Sequence, residues 1–207
     1  MKVLIACEES QEVCKAFRRL GHEAYSCDIL PCSGGHPEWH IKMDVLKLLN
    51  GGRFATVDHK IHDIEGWDLM IAHPPCIRLC NSGVRWLHER NLWKEMRDAA
   101  FFFDNLMKAY IPKKCIENPI PHKYALEIIN RKYNQIIQPY MFGHGESKAT
   151  CLWLDNLPKL KATNIVEGRE KRIHKMSPSK DRSKLRSKTF PGIARAMAEQ
   201  WGGKDDY

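Results

Sequence analysis

Trp67-Asp68-Leu69-Met70-Ile71-Ala72-His73-Pro74-Pro75-Cys76 is the stretch from which the fold can be read. Its first six residues make an apolar run of strand length, and the two prolines end it. Two prolines set φ twice and remove two backbone donors, so the turn is stiff and Cys76 is held at the edge of whatever sheet contains the strand. Working outward, residues 2–6 (KVLIA) form a second short apolar run, stopped by Cys7-Glu8-Glu9-Ser10. Residues 10–20 place Val13, Phe17 and Leu20 on one helical face, with Ser10 as a candidate N-cap and Gly21 at the stop. Residues 22–29 read as a strand ending at Asp28, followed by the Gly/Pro-rich loop LPCSGGHPEWH. A short strand is expected over 41–45 with Asp44 near its end, then one or two helical turns.

Beyond Cys76, apolar residues at three- and four-residue spacing from Trp93 to Tyr110 predict a long helix over about 89–110, with Phe101-Phe102-Phe103 as core. Residues 114–118 (KCIEN) read as a strand stopped by Pro119, QIIQP and CLWL as later strands, and Pro191 as the start of a last helix. Strands alternating with helices predict an α/β fold with a mainly parallel sheet and helices on both faces. In such sheets ligands bind beyond the carboxyl ends of the strands, where this chain carries Glu8, Asp28, Asp44, Cys76 and Glu117.

At 207 residues the chain is read as one domain with a short appendage, large enough for a hydrophobic core without disulfides. Apolar residues at 43% and charged residues at 28% exclude a disordered or fibrous class. No run approaches a membrane span, and the N-terminus turns acidic too early for a secretory signal. Eight scattered cysteines, two of them in strand-like runs, fit a reduced cytoplasmic protein. Residues 159–188 hold eleven Lys/Arg against three Asp/Glu, and the rest of the chain balances at 22 of each sign. Such a segment is either a solvated loop or an electrostatic footprint for a polyanion, nucleic acid above all. The expected organisation is a core over 1–158, a basic flexible arm over 159–188, and a helix over 189–207 that returns to the core.

Cysteine is the strongest unassisted nucleophile among side chains, but as a thiolate, so Cys76 needs a lowered pKa or deprotonation assisted by substrate. Glu117 and Asn118 end a strand 41 residues later, with one crossover helix between, as a neighbouring parallel strand requires. A carboxyl group there can hydrogen-bond or protonate a ring nitrogen. Taken alone, each also has a structural reading: a buried thiol after a tight turn, or an exposed loop acid. Together, His73-Pro74-Pro75-Cys76 and Ile116-Glu117-Asn118-Pro119, with Val3-Leu4-Ile5-Ala6 before them and the helix from Pro191 to Trp201 after, resemble the C5-cytosine DNA methyltransferases, and among them the compact phage and prophage forms.

That resemblance implies a Rossmann-like fold of the class that uses S-adenosylmethionine, found in the cytoplasm of a bacterial host. Cys76 would attack C6 of a pyrimidine and Glu117 would hold and protonate N3, after the base is flipped from a duplex. Cys7, Glu8, Glu9 and Ser10 map to the loop that cradles the cofactor, Asp28 to the acid on the ribose, and Asp44 to the acid near the adenine amine. Pro74 is a further candidate cofactor contact, and Asn118, Arg85 and Thr150 are candidate substrate contacts. Residues 140–143 and 148–153 resemble a later stretch of the family. The chain departs from the pattern in four ways. Its first loop is not glycine-rich, Cys151 stands where an active-site arginine is expected, Pro191-Gly192-Ile193 replaces a Gly-Asn pair, and no target-recognition domain fits between 143 and 190. The missing arginine leaves Lys148 or Arg78 to supply the positive charge.

DNA is the expected partner through 159–188, with no membrane and no metal. Cys27, Cys32, His36 and His40 have zinc-ligand chemistry at poor spacing. Residues 82–86 read as a lid hinged at Gly83, or as packing through Trp86. Two alternatives stand beside the leading reading. One is C5 methylation of a pyrimidine in RNA or a free nucleotide; the other is a non-catalytic phage factor that binds DNA or protein.

Overall fold

The computed structural model describes residues 1–203. The final four positions of the expected 189–207 segment lie outside them. The chain order is β1 (Lys2–Ala6), α1 (Glu12–Arg19), β2 (Glu23–Asp28), β3 (His40–Lys42), β4 (Gly52–Ala55), β5 (Ile61–Ile64), β6 (Leu69–Ala72), α2 (Val84–Glu89), α3 (Trp93–Lys108), β7 (Lys113–Pro119), α4 (Lys123–Ile129), β8 (Gln135–Ile137), β9 (Thr150–Asp155), α5 (Arg172–Lys175), α6 (Arg182–Ser187) and α7 (Pro191–Gly202). Seven strands form one sheet in the order β3-β2-β1-β6-β7-β9-β8. The first five run parallel, while β9 lies antiparallel to both β7 and β8.

β1 and β6 are central and covered on both faces, which is why their sequences are continuous apolar runs. Strand order reverses between them, and a crevice opens at such a switch point. One face of the sheet is covered by α1 and α7 through Phe17, Ile193, Met197 and Trp201. The other is covered by α3 through Ala100, Phe103 and Leu106. Leu160 and Ile173, from the basic segment, are buried with the first group. Each such fully buried aliphatic or aromatic side chain contributes about 1.5–3 kcal/mol. Among the described residues no helix is long and apolar enough to cross a membrane, and none of the eight cysteines is in a disulfide.

Several expected boundaries move. The third strand is His40–Lys42 rather than 41–45, because Asp44 leaves the sheet to accept a hydrogen bond from Leu46 N (3.0 Å) and cap a 3-10 turn. The helix expected over about 89–110 is α3, which starts later, at Trp93, because Asn91 takes a left-handed φ of 51° between it and the end of α2 at Glu89. α3 ends at Lys108, so Tyr110 is 95% exposed rather than part of the core stripe. Residues 82–86, read as a lid, lie in a 3-10 turn running into α2, with Arg85 and Arg90 each 4.2 Å from the Trp86 ring. The β4–β5 hairpin and α4 had no sequence expectation. The hairpin buries only Phe54 and Ile64, too few to show a strand pattern.

Candidate active site

The turn after β6 is tied to the ends of both neighbouring strands, β1 and β7. His73 N donates to Ala6 O (2.9 Å), carrying the sheet one residue past β6. Asn118 Nδ2 donates to Pro74 O (3.0 Å). Beyond Cys76 the chain coils tightly, with Leu79 N (2.9 Å) and Cys80 N (3.0 Å) both donating to Cys76 O. The residues after Asn118 then grip that coil. Asn81 N donates to Ile120 O (3.0 Å) and His122 N to Leu79 O (2.9 Å). The buried His122 ring receives Ala125 N on Nδ1 (3.1 Å), capping α4, so its proton sits on Nε2 and is donated to Arg78 O (2.9 Å). A thiol and a carboxylate 41 residues apart in sequence are therefore carried by two interlocked loops on adjacent strands.

A β-carbon on Gly83 would stand 2.6 Å from the carbonyl oxygen of Ile77. Gly83→Ala is expected to push the 76–83 turn outward at a cost of about 1–3 kcal/mol in chemical denaturation. A variant as stable as the parent would show that the turn can shift freely.

His73 Nδ1 donates to Glu117 Oε2 (2.8 Å), both side chains being 11% exposed. Burial disfavours charge on both. The mutual hydrogen bond and attraction outweigh it, raising the His73 pKa above the ordinary imidazole value, with Glu8 adding to the effect. They also lower that of Glu117, helped by Lys148. Each partner thus favours the charged form of the other, imidazolium beside carboxylate. The charges of Lys148 and Glu117 also reach Cys76, so Lys148 acts electrostatically on both the thiol and the carboxylate. Arg78 presents its carbonyl to His122, and among the described residues its guanidinium has no ion pair. Cys151, where an arginine was expected, is buried in β9 opposite Asn118. Thr150 is buried and donates to Lys148 O (3.2 Å), helping to shape that loop.

On the other side of the switch point, Cys7 takes a left-handed φ of 60°, and its amide donates to Cys27 O (2.7 Å). Burial raises its pKa, and the charges of Asp28 and Asp44 add to the rise, so both acids converge on the end of β1. Asp28, its own pKa raised by burial, accepts from Leu30 N (2.9 Å). Glu8 turns back into α1, accepting from Val13 N (2.7 Å) and Cys14 N (3.2 Å), and burial pushes its pKa up to about 7. Glu9 lies 3.7 Å from Lys184, and Ser10 is buried.

Gln11, His73, Cys80 and His122 were not singled out as site residues from sequence. Gln11 is buried. It donates to Ser26 Oγ (3.2 Å) and His36 O (2.9 Å), and accepts from His36 N and Cys32 Sγ (3.1 Å each), fastening the loop after β2. A glycine is needed at 34 because a β-carbon there would stand 2.5 Å from the Gln11 side chain. The signal for His122 was the Pro-Ile-Pro spacing just before it. The four zinc-type residues are otherwise engaged: Cys27 Sγ donates to Met43 O (3.5 Å), Cys32 bonds Gln11, His36 stacks on Trp39 at 3.8 Å, and His40 bridges Ser26 and Leu30. Among the described residues no group of three or more His, Cys, Asp or Glu is arranged to hold a metal ion. The basic segment reaches the same rim through Lys188–Glu12 (3.0 Å) and Arg172–Glu146 (2.8 Å), and Arg169 lies 3.5 Å over the Tyr140 ring.

No family model and no curated protein matches the sequence. Solved structures do. One is an E. coli protein, encoded within a prophage, to which a DNA modification methyltransferase role is ascribed. It is 11% identical at a TM-score of 0.51, over 86% of this chain and 55% of that one. Another is the methyltransferase EhMeth of Entamoeba histolytica, 16% identical at a TM-score of 0.46, over 83% of this chain and 57% of that one. The chain spans little more than half the length of these proteins. Its α/β fold, with a mixed and mostly parallel seven-stranded sheet, is methyltransferase-like.

Proposed function

We propose that this chain is an S-adenosylmethionine-dependent methyltransferase acting at C5 of cytosine in DNA. The observation that carries this reading is the interlock of the β6 and β7 ends, which gives Cys76 and Glu117 one shared electrostatic environment with Lys148. Cys76 Sγ adds to C6 of the ring, and the displaced electron pair spreads towards C5 and N3. The Glu117 carboxylate accepts a hydrogen bond from the ring edge, and the proton that N3 gains comes from His73, relayed through Glu117 and leaving His73 neutral. Lys148 offsets the negative charge that addition creates.

Asp28 and Asp44 would hold the cofactor, since two carboxylates converging on the end of β1 match a ribose diol and an adenine amine. S-adenosylmethionine supplies the methyl group. Cys7 and the loop fastened by Gln11 border that side, while Glu8 acts on it indirectly by capping α1. The net positive segment 159–188 supplies charge for a phosphate backbone, and the target base must leave the duplex to reach Cys76. Arg85, beside the nucleophile turn, and Asn118, behind it, complete the substrate side.

The test is incubation with labelled methyl donor and, separately, DNA, RNA and free pyrimidine nucleotides, followed by nucleoside mass spectrometry. The expected product is 5-methylcytosine from DNA. Label in RNA or nucleotide alone would replace the substrate, and label at another atom would overturn the chemistry. A non-catalytic nucleic-acid-binding relative is the competing reading. It is favoured by the first loop, where Glu8 occupies the α1 amides; absence of cofactor binding in calorimetry would decide for it.

A further inference from the structure

We propose that the first half of the basic segment, residues 163–172, is a positioning element for Lys148, with the Glu146–Arg172 ion pair as its clasp. The inference rests on the reading of Lys148 as the cation that offsets charge on the substrate ring. Lys148 lies in the loop between β8 and β9, just before Thr150, which pairs with Pro119 past Glu117. The register of β9 thus brings this loop to the end of β7. Lys148 N donates to Gln138 Oε1 (2.9 Å), and Lys148 O accepts from Thr150 Oγ1.

The residues before Lys148 lean on the basic segment. Gly143 N donates to Asn164 O (2.7 Å) and Val166 N to Tyr140 O (3.0 Å). Further along, Glu170 N donates to Gly145 O and Ser147 N to Glu170 O (2.9 Å each). The two chains form parallel bridges at Phe142–Asn164 and Glu146–Glu170. Their approach is close enough to need glycine. A β-carbon on Gly145 would stand 3.1 Å from Glu167 O, and one on Gly168, where φ is +95°, would stand 3.2 Å from Gly145 O.

Glu146, beside Ser147, closes the clasp. Its Oε1 accepts from Arg172 Nε (3.1 Å) and Nη2 (2.8 Å), and among the described residues its buried Oε2 has no hydrogen-bond partner. The Glu146 side chain is only 16% exposed, so Arg172 supplies the compensation that a carboxylate needs there. Without the guanidinium that carboxylate must turn towards water, and Ser147 and Lys148 move with it. Arg172 itself is 55% exposed, so its loss does little to the stability of the whole chain. The segment therefore does more than attract a phosphate backbone, since part of its charge is engaged in shaping the site.

The test uses the full chain with its lysines reductively methylated by isotope-labelled formaldehyde, which keeps their charge and gives each an NMR signal. The Lys148 signal is assigned by its loss in Lys148→Arg. Arg172→Gln should move that signal towards the position of a solvated lysine. Arg172→Lys, which keeps a cation for Glu146, should move it less. Gly168→Ala forces the two chains apart and should displace the signal in the same direction with Arg172 unaltered. Lys180→Gln removes an equal charge from an exposed position of the segment and should leave the signal in place. In methyl transfer to DNA, Arg172→Gln should lower kcat by about tenfold or more, whereas Lys180→Gln should raise KM alone. A Lys148 signal unmoved by both Arg172→Gln and Gly168→Ala would overturn the proposal, as would an equal displacement by Lys180→Gln. Displacement in a protein that methylates no substrate would sink the proposed reaction and leave the clasp intact. Methylation with full kcat in Arg172→Gln would sink the clasp and leave the reaction standing.

Discussion

Cys76→Ala is expected to reduce methyl transfer by on the order of 10⁴-fold or more, the scale seen when a covalent nucleophile is removed. The variant should keep its fold and its cofactor affinity. Cys76 is half-buried, outside both core groups, and the coil that presents it is built from backbone hydrogen bonds and the grip of His122 and Ile120. Removing one sulfur leaves those intact, so the melting temperature should change by no more than a surface substitution would cause, within about 0.5 kcal/mol. The sharpest readout is covalent capture on DNA carrying 5-fluorocytosine, whose fluorine cannot leave C5 as a proton does, so the adduct persists. The parent should form that adduct and Cys76→Ala should not. Retained methylation at cytosine C5 in the variant would remove Cys76 from the role of nucleophile.

Trp153→Ala is expected to cost about 3–5 kcal/mol, the range for deleting a large core aromatic. For a chain of this length that lowers the melting temperature by about 10 °C. Trp153 sits on β9 opposite Ile116, one position before Glu117, and is 1% exposed. Its ring meets Phe103 of α3 edge-on at 4.9 Å and Tyr133 at 5.7 Å, and Nε1 donates to Arg131 O (2.9 Å). Alanine would open a cavity between α3 and the antiparallel strand and leave a carbonyl without its donor. Trp153→Phe keeps most of the ring volume and should cost less. A loss below about 1 kcal/mol for the alanine variant in urea unfolding would show that β9 is not part of the cooperative core.

The two substitutions divide the molecule into what a reader of the chain could see and what stayed hidden. The strands 2–6 and 69–72 were legible because a parallel strand covered on both faces must be apolar throughout, and all three parallel strands 2–6, 23–28 and 69–72 end in chemically distinct turn residues. Asp28 and Cys76 were legible because they stand at or just past the ends of those strands, Glu117 because it stands near the end of β7, and Asp44 because it follows the short β3. The late start of α3 at Trp93 was not legible, since the left-handed backbone of Asn91 before it is one of several conformations an asparagine tolerates. Nor was the β4–β5 hairpin, whose two buried side chains leave almost no periodic trace.

Composition and apolar periodicity were thus enough to establish an α/β sheet, its parallel centre, and a row of polar residues beyond the strand ends, because burial acts on each short segment separately. Three features waited on folding: the antiparallel insertion of β9 between β7 and β8, the His73–Glu117 ion pair, and the tight coil after Cys76, closed by Cys80 N on Cys76 O. Each depends on how distant segments, or one coiled turn, are oriented in space. Strand direction, register and rotamer leave little mark on local composition, and a buried charge or thiol takes its character from whichever partner that packing brings within reach.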